Sequence, residues 1–234
     1  MKQQFVRGLR AGVPVVLGYI PVGIAYALMA RQAGFSAAET CAMSFFVYAG
    51  ASQMMAAGMY AQGAGVLAIV LATFILNLRH FIMSTCVANR MGPGETRKKL
   101  LAAFGVTDET FAVFTTGPRE NATVPCFLGL ALSSWASWNV GTLAGALISD
   151  ILPPIVTASL AVSLYAMFIA ILIPGLSGNW RLGALVVLTA VCNTVLTRVM
   201  PSSWALIVST LVCAFAGVFF VELEPESGEE AEHA

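Results

Sequence analysis

Between residues 64 and 88 the chain is apolar except for a polar cluster at its centre, and that cluster limits what the chain can become. An apolar run of about 20 residues is long enough to cross the hydrocarbon core of a bilayer as a helix. The middle of this run reads Thr73-Phe74-Ile75-Leu76-Asn77-Leu78-Arg79-His80-Phe81-Ile82-Met83-Ser84. A charge near the centre of a span costs about 2.5–3.5 kcal/mol on insertion scales. Such residues face a bundle interior or a watery cavity and mark a pathway. Thr73, Asn77, His80 and Ser84 fall at helical spacing on one face, whereas Arg79 points away from it. Either Arg79 serves a second surface or the backbone breaks near Asn77. The competing explanation is a snorkelling Arg79 near a helix end beside a structural Asn77.

Composition agrees with a membrane solvent. The 234 residues are 58% hydrophobic and 10% charged, against roughly 25% charged in a soluble domain, and mean hydropathy is +0.82. The expected fold is a single all-α polytopic bundle over residues 1–234, with about seven apolar segments and some broken or re-entrant helices. Net charge is zero, so a nucleic-acid footprint is missing. Residues 1–10 form a basic cytoplasmic N-terminus (Lys2, Arg7, Arg10), and residues 222–234 form an acidic, disordered tail. Cys41, Cys86, Cys126, Cys192 and Cys213 lie in apolar runs without a Cys-x-x-Cys pair, as small buried hydrophobes do. With two histidines, one in the tail, neither a metal nor a cofactor is expected.

In order, the first apolar segment covers residues 11–30. It is too long for a cleaved signal and fits a retained span. Gly18-Tyr19-Ile20-Pro21-Val22-Gly23 marks either an unwound point or an ordinary proline kink. Ser36 and Glu39 read as a capping box opening the segment 37–59. There Ser44, Tyr48 and Ser52 share helical spacing, and Ala49-Gly50-Ala51-Ser52 precedes Gln53. That small-residue run allows close helix packing or an unwound ligand contact. The loop 89–99 carries Arg90, Arg97, Lys98 and Lys99, which places it with the N-terminus in the cytoplasm. An even number of crossings must then separate the two, so segment 37–59 is expected to enter and leave on one side. Residues 102–116 form a half-helix candidate centred on Thr107-Asp108-Glu109, whose acids could compensate Arg79 or carry a proton. Further segments cover 124–149, where Gly141 and Gly145 are spaced for close packing, then 156–173, 183–199 and 202–221. Thr189, Asn193 and Thr197 make another polar stripe.

Gly18 to Gly23, Ala49-Gly50-Ala51-Ser52-Gln53, Asn77-Leu78-Arg79-His80 and Thr107-Asp108-Glu109, taken in order and spacing, resemble the AzlC family. Trp138 with Gly141-Thr142, and Phe168-Ile169-Ala170 to Pro174, are similar to it as well. The resemblance spans residues 12–221. It implies the large subunit of a bacterial branched-chain amino acid exporter, multi-pass in the cytoplasmic membrane. It also implies a small AzlD-type membrane subunit as partner, and a proton-driven step. The family has an acidic residue in the segment that here reads Leu160-Ala161-Val162. That departure shifts any proton role onto His80, Asp108 and Glu109.

A zwitterion in a low-dielectric site needs a partner for each charge. Arg79, or a helix N-terminus near Gly50 to Gln53, suits the carboxylate, and Asp108 or Glu109 suits the ammonium. His80 titrates near neutral pH when unperturbed and suits a relay. The candidate substrate residues are therefore Tyr19, Pro21, Gly50, Ser52, Gln53, Asn77 and Arg79. The candidate proton-coupling residues are His80, Asp108 and Glu109. The alternative is an uncoupled channel or permease for another small zwitterionic or organic solute. No motif frames a catalytic set, so an enzyme is not expected.

Overall fold

A computed structural model of the chain describes residues 1–91, 96–149, 151, 169, 173, 176 and 180–220. It divides into two units, Met1–Phe168 and Ile169–Ala234. Among the described residues every regular element is a helix, which agrees with the all-α expectation. The acidic tail, the segment 156–173 except its last residue and Ile169, and the tripeptide Leu160-Ala161-Val162 lie outside the described residues.

In the first unit, α1 (Lys2–Ala11) and α2 (Val13–Gln32) meet at Gly12. The basic N-terminus is thus helical. Four shorter helices follow as two broken pairs: α3 (Ala37–Phe46) with α4 (Gly50–Ala61), and α5 (Val66–Asn77) with α6 (Arg79–Arg90). A third break separates α7 (Thr96–Phe104) from α8 (Asp108–Thr116). After a 3₁₀ turn at Arg119–Asn121, α9 (Val124–Ile148) runs for 25 residues, roughly 37 Å at 1.5 Å per residue.

By length and apolarity, two described stretches are fit to cross a membrane: α2, and the α5–α6 run Val66–Arg90. The long α9 carries Ser133, Ser134, Ser137 and Asn139, and much of it is buried. It is the central post, against which α1, α2, α3, α7 and α8 pack. Glycines make that packing close. A Cβ on Gly141 would lie 2.5 Å from the Ile20 carbonyl oxygen, and one on Gly145 2.7 Å from that of Ile24. On the facing side, a Cβ on Gly23 would lie 2.9 Å from the Trp138 carbonyl oxygen. The Gly141/Gly145 spacing is therefore a helix contact, as expected.

The unwinding allowed for at residues 18–23 does not occur, because α2 runs unbroken through Pro21. Pro21 sits on the exposed side. Its missing N–H frees a single carbonyl there, while Val22, Gly23, Ala25 and Tyr26 are buried on the opposite side and hold the helix together.

Each actual break has a local cause. Ser36 and Glu39 form the capping box that starts α3, with Glu39 N–H donating to Ser36 Oγ at 3.2 Å and Ser36 N–H to Glu39 Oε2 at 2.8 Å. The helix ends before Tyr48, whose φ of +47° lies in the left-handed region that a bulky residue rarely occupies. Across the gap, Ala49 N–H donates to Gln53 Oε1 at 3.2 Å, and Gln53 Nε2 donates to Ser44 Oγ at 3.2 Å. Ser44 in turn meets Thr142 of α9 at 2.8 Å. One buried amide thus ties the end of α3 to the start of α4. Because the chain breaks at 47–49, Ser44, Tyr48 and Ser52 do not form one continuous helical stripe.

At Leu78 the backbone keeps helical angles but tightens. Leu78 N–H bonds to Ile75 and Phe81 N–H to Leu78, both to a carbonyl three residues back. This is a break near Asn77, one of the two arrangements that the position of Arg79 left open. At the third break, Thr107 and Thr110 cap each other reciprocally, at 2.8 and 3.3 Å. Gly105 is needed there because a Cβ would lie 2.3 Å from that of Ala131.

In the second unit, α10 (Trp180–Leu196) and α11 (Ser202–Phe220) pack against each other across a turn at Pro201. Asn193 of the expected polar stripe accepts from Ser209 Oγ at 3.4 Å, while Thr189 bonds back to its own helix at Leu185.

Candidate functional site

The three breaks converge on a cavity of about 30 Å³ lined by Tyr19, Tyr48, Ala49, Gly50, Ala51, Arg79, His80, Thr107, Asp108, Glu109 and Trp138. The N-termini of α4, α6 and α8 all end there. A helix N-terminus carries partial positive charge, which favours anions and opposes cations. Asp108 and Glu109, in the first turn of α8, are therefore well placed. Arg79, in the first turn of α6, is not, and needs a counter-charge. Asp108 supplies it: Arg79 Nη1 lies 3.0 Å from Asp108 Oδ2, with the two side chains 33% and 26% exposed. Compensation of Arg79 by one of the two acids was legible in the sequence, and Asp108 is the one.

Glu109 has a different partner. Tyr19 Oη donates to Glu109 Oε2 at 2.5 Å and lies 2.7 Å from Thr107 Oγ1. Since the tyrosine proton goes to the carboxylate, Thr107 donates to Tyr19. The result is a three-group hydrogen-bond chain reaching from the α8 cap to the acid. His80 Nδ1 lies 3.0 Å from the Val106 carbonyl. A carbonyl only accepts, so Nδ1 carries the hydrogen, and in the neutral ring Nε2 is left as the acceptor.

Beside this polar cavity lies a larger one of about 230 Å³. It shares Tyr48, Ala49 and His80 with the first and adds Val47, Asn77, Ala103, Phe104 and Val106. Its walls are mainly apolar. The pair of spaces offers a charged end and a greasy end in contact.

Of the residues singled out from the sequence, Tyr19, Gly50, Arg79, His80, Asp108 and Glu109 meet at the polar cavity. Asn77 lines the apolar one and accepts from Ser52 Oγ at 2.5 Å. Ser52 and Gln53 are buried behind the wall, where they tie the broken helices. Pro21 faces outward and lines neither cavity. Tyr48, Thr107 and Trp138 were not among the site residues read from the sequence. For Thr107 a signal existed, since a threonine directly before two acids is a helix-cap pattern. Trp138 stacks on Tyr26 with ring centroids 5.9 Å apart and meets Tyr19 edge-on at 5.4 Å. In sequence, such an aromatic is indistinguishable from packing. Among the described residues there is no cluster of side chains able to hold a metal.

The family profile described as "AzlC protein" matches residues 14–152, a stretch that contains every residue lining the polar cavity. The chain belongs to the AzlC family. An uncharacterized membrane protein of Archaeoglobus fulgidus is 37% identical over 75% of this chain and 77% of its own length. The inner membrane protein YgaZ of Escherichia coli is 35% identical over 72% of each. The branched-chain amino acid transport protein AzlC of Bacillus subtilis is 30% identical over a shorter region, 43% of this chain and 39% of its own. No solved structure matches this AzlC-family chain. The relatives' description as membrane proteins agrees with the two crossing-length stretches, and this is a membrane protein.

Proposed function

We propose that the chain is a secondary transporter that exports branched-chain or related apolar amino acids across a bacterial cytoplasmic membrane. Export is coupled to protons and requires a small AzlD-type membrane subunit. The observation that carries this reading is the adjacency of a charged cavity holding one cation and two carboxylates to an apolar cavity of about 230 Å³. An apolar amino acid has the same division: a zwitterionic head and a branched hydrocarbon side chain. Arg79 takes the carboxylate, Glu109 or Asp108 takes the ammonium, and the apolar space takes the side chain. The branched-chain assignment draws on the name of the Bacillus subtilis relative. Export and the partner subunit draw on the family resemblance.

The space at the charged end, about 30 Å³, has room for about two water molecules and not for an amino acid head group. Together with the Arg79–Asp108 pair across it, this favours a gated carrier over a continuous pore. The substrate carboxylate displaces Asp108 from Arg79, and the freed acid, with Glu109 and His80 beside it, is where a proton is exchanged.

The test is efflux of preloaded leucine, isoleucine and valine from cells expressing the chain with and without a small partner subunit. Efflux that needs the partner and collapses with the proton gradient is the expected result. Flux that ignores the gradient favours the channel alternative. Full transport by both Arg79→Ala and Asp108→Asn overturns the residue assignment.

A further inference from the structure

The polar cavity holds donors that its two carboxylates do not reach. Three buried polar atoms of residues on its walls have no hydrogen-bond partner among the described residues: Arg79 Nε, Tyr48 Oη and Trp138 Nε1. Tyr48 and Trp138 are 3% and 2% exposed, so bulk water does not satisfy them. Tyr48 Oη comes near Tyr19 and Ser134 without reaching hydrogen-bond geometry to either. Leaving such a group unpaired costs about 1–3 kcal/mol, and native proteins rarely leave several in one place. The guanidinium Nε and the indole Nε1 can only donate, and the tyrosine hydroxyl donates or accepts. The nearby carboxylates face other groups: Asp108 Oδ2 takes Arg79 Nη1 and Glu109 Oε2 takes the Tyr19 hydroxyl.

The backbone supports the same conclusion. Tyr48 is held at φ +47°, a conformation that costs of order 1–3 kcal/mol for a non-glycine residue and tends to persist at ligand clamps. That strain brings its side chain to the cavity wall. Opposite it, a Cβ on Gly50 would lie 2.7 Å from Trp138 Cη2, so glycine is what admits the indole beside the start of α4.

We infer that Tyr48 Oη, Trp138 Nε1 and Arg79 Nε form a three-donor carboxylate-binding subsite, which selects substrates for a free carboxylate. This deepens the transport reading and rests on it for the identity of the carboxylate as that of an amino acid. Asp108, held on the neighbouring Arg79 Nη1, is the anion that the incoming carboxylate displaces from the guanidinium, and Glu109, whose Oε2 takes the Tyr19 hydroxyl, offers its other oxygen to the ammonium. An ester, an amide or a simple amine lacks the charged acceptor and leaves the donors unpaired.

The experiment measures binding to the purified full chain by titrated thermal stabilisation. Leucine is compared with 4-methylpentanoate, which lacks the ammonium, and with 3-methylbutylamine, which lacks the carboxylate. Tyr48→Phe and Trp138→Phe each delete a donor and keep an aromatic ring. A hydrogen bond to a charged group is worth on the order of ten- to a hundredfold in affinity. Each variant is expected to lose that much for leucine and 4-methylpentanoate, with amine binding unchanged within about twofold. Carboxylate affinities equal to the native chain's in both variants overturn the subsite, as does a native chain that binds neither carboxylate. Tyr48→Phe changes one atom, so it stays informative even if Trp138→Phe folds poorly. Leucine efflux that survives both variants removes the subsite and leaves the transport reading intact. Carboxylate binding lost in the variants, with no amino acid efflux by the native chain, removes the transport reading and leaves the subsite.

Discussion

Replacing Asp108 by Asn keeps the shape of the α8 N-terminus but strips Arg79 of its counter-charge. At 3.0 Å and an effective dielectric near 20, the gross attraction between the two is about 5–6 kcal/mol. Both side chains keep part of their surface exposed, 33% for Arg79 and 26% for Asp108, so water screens the pair and roughly halves that figure. The helix dipole adds about 0.3–1 kcal/mol against an unpaired cation at the start of α6. Asp108→Asn is thus expected to destabilise the chain by about 2–3 kcal/mol, and Arg79→Gln by a similar amount. The double variant removes both the attraction and the orphaned charge. It should lose markedly less than the sum, with a coupling of about 1.5–2.5 kcal/mol. At roughly 2–4 °C per kcal/mol for a chain of this size, each single variant lowers the unfolding midpoint by about 4–12 °C. Unfolding in detergent or lipid bicelles, followed by tryptophan fluorescence, measures the cycle. Strictly additive effects would mean that the two charges do not interact, and the account of why Arg79 is tolerated in an apolar run would fall.

Three further outcomes follow from the packing and the caps. Gly141→Ala places a Cβ 2.5 Å from a backbone oxygen that cannot move aside, so it should cost about 1–3 kcal/mol; Gly58→Ala, with nothing within 4 Å, should be neutral or slightly stabilising in the same unfolding assay. Thr107→Val removes the α8 cap and should cost about 0.5–2 kcal/mol, while Thr107→Ser keeps it; amide exchange at Asp108 to Thr110 reads the difference. Gln53→Leu unties α3 from α4 and leaves Ala49 N–H unpaired in the interior, a loss of about 1–3 kcal/mol; a thermal midpoint equal to the native one would show that the amide staple is dispensable.

Local chemistry was readable from sequence; long-range placement was not. The Ser36–Glu39 box, the break near Asn77 that was one of two readings of Arg79, and the close contact at Gly141 and Gly145 each depend on residues a few positions apart, and each is present. The pairing of Arg79 with an acid near residue 108 was also readable, because a charge in an apolar run must be answered by the few opposite charges available. The meeting of Tyr19 with Glu109, 90 positions apart, has no such signature. Nor has the arrival of Trp138 at the start of α4, since an aromatic that packs and an aromatic that lines a cavity look alike in sequence. Gln53 lies on the other side of that divide. Its place after four small residues left helix packing and ligand contact both open; an amide offers a donor and an acceptor, and here Ala49 N–H and Ser44 Oγ take them. At Pro21 the proline signal was real, yet burial of the opposite helix face outweighed it.

The contrast between the unbroken and the broken helices sets what can move. The glycine contacts between α2 and α9 leave no slack, so these two form a stationary frame. The halves on either side of 47–49, 78 and 105–107 are joined by single turns of chain, and α3, α4, α7 and α8 rest on that frame, so bending at a joint means sliding a half along it. All three joints touch the same small space. Filling that space therefore acts as a wedge on three levers at once, and spin labels or fluorophores placed on the outer ends of α4, α6 and α8 would swing together when substrate seats.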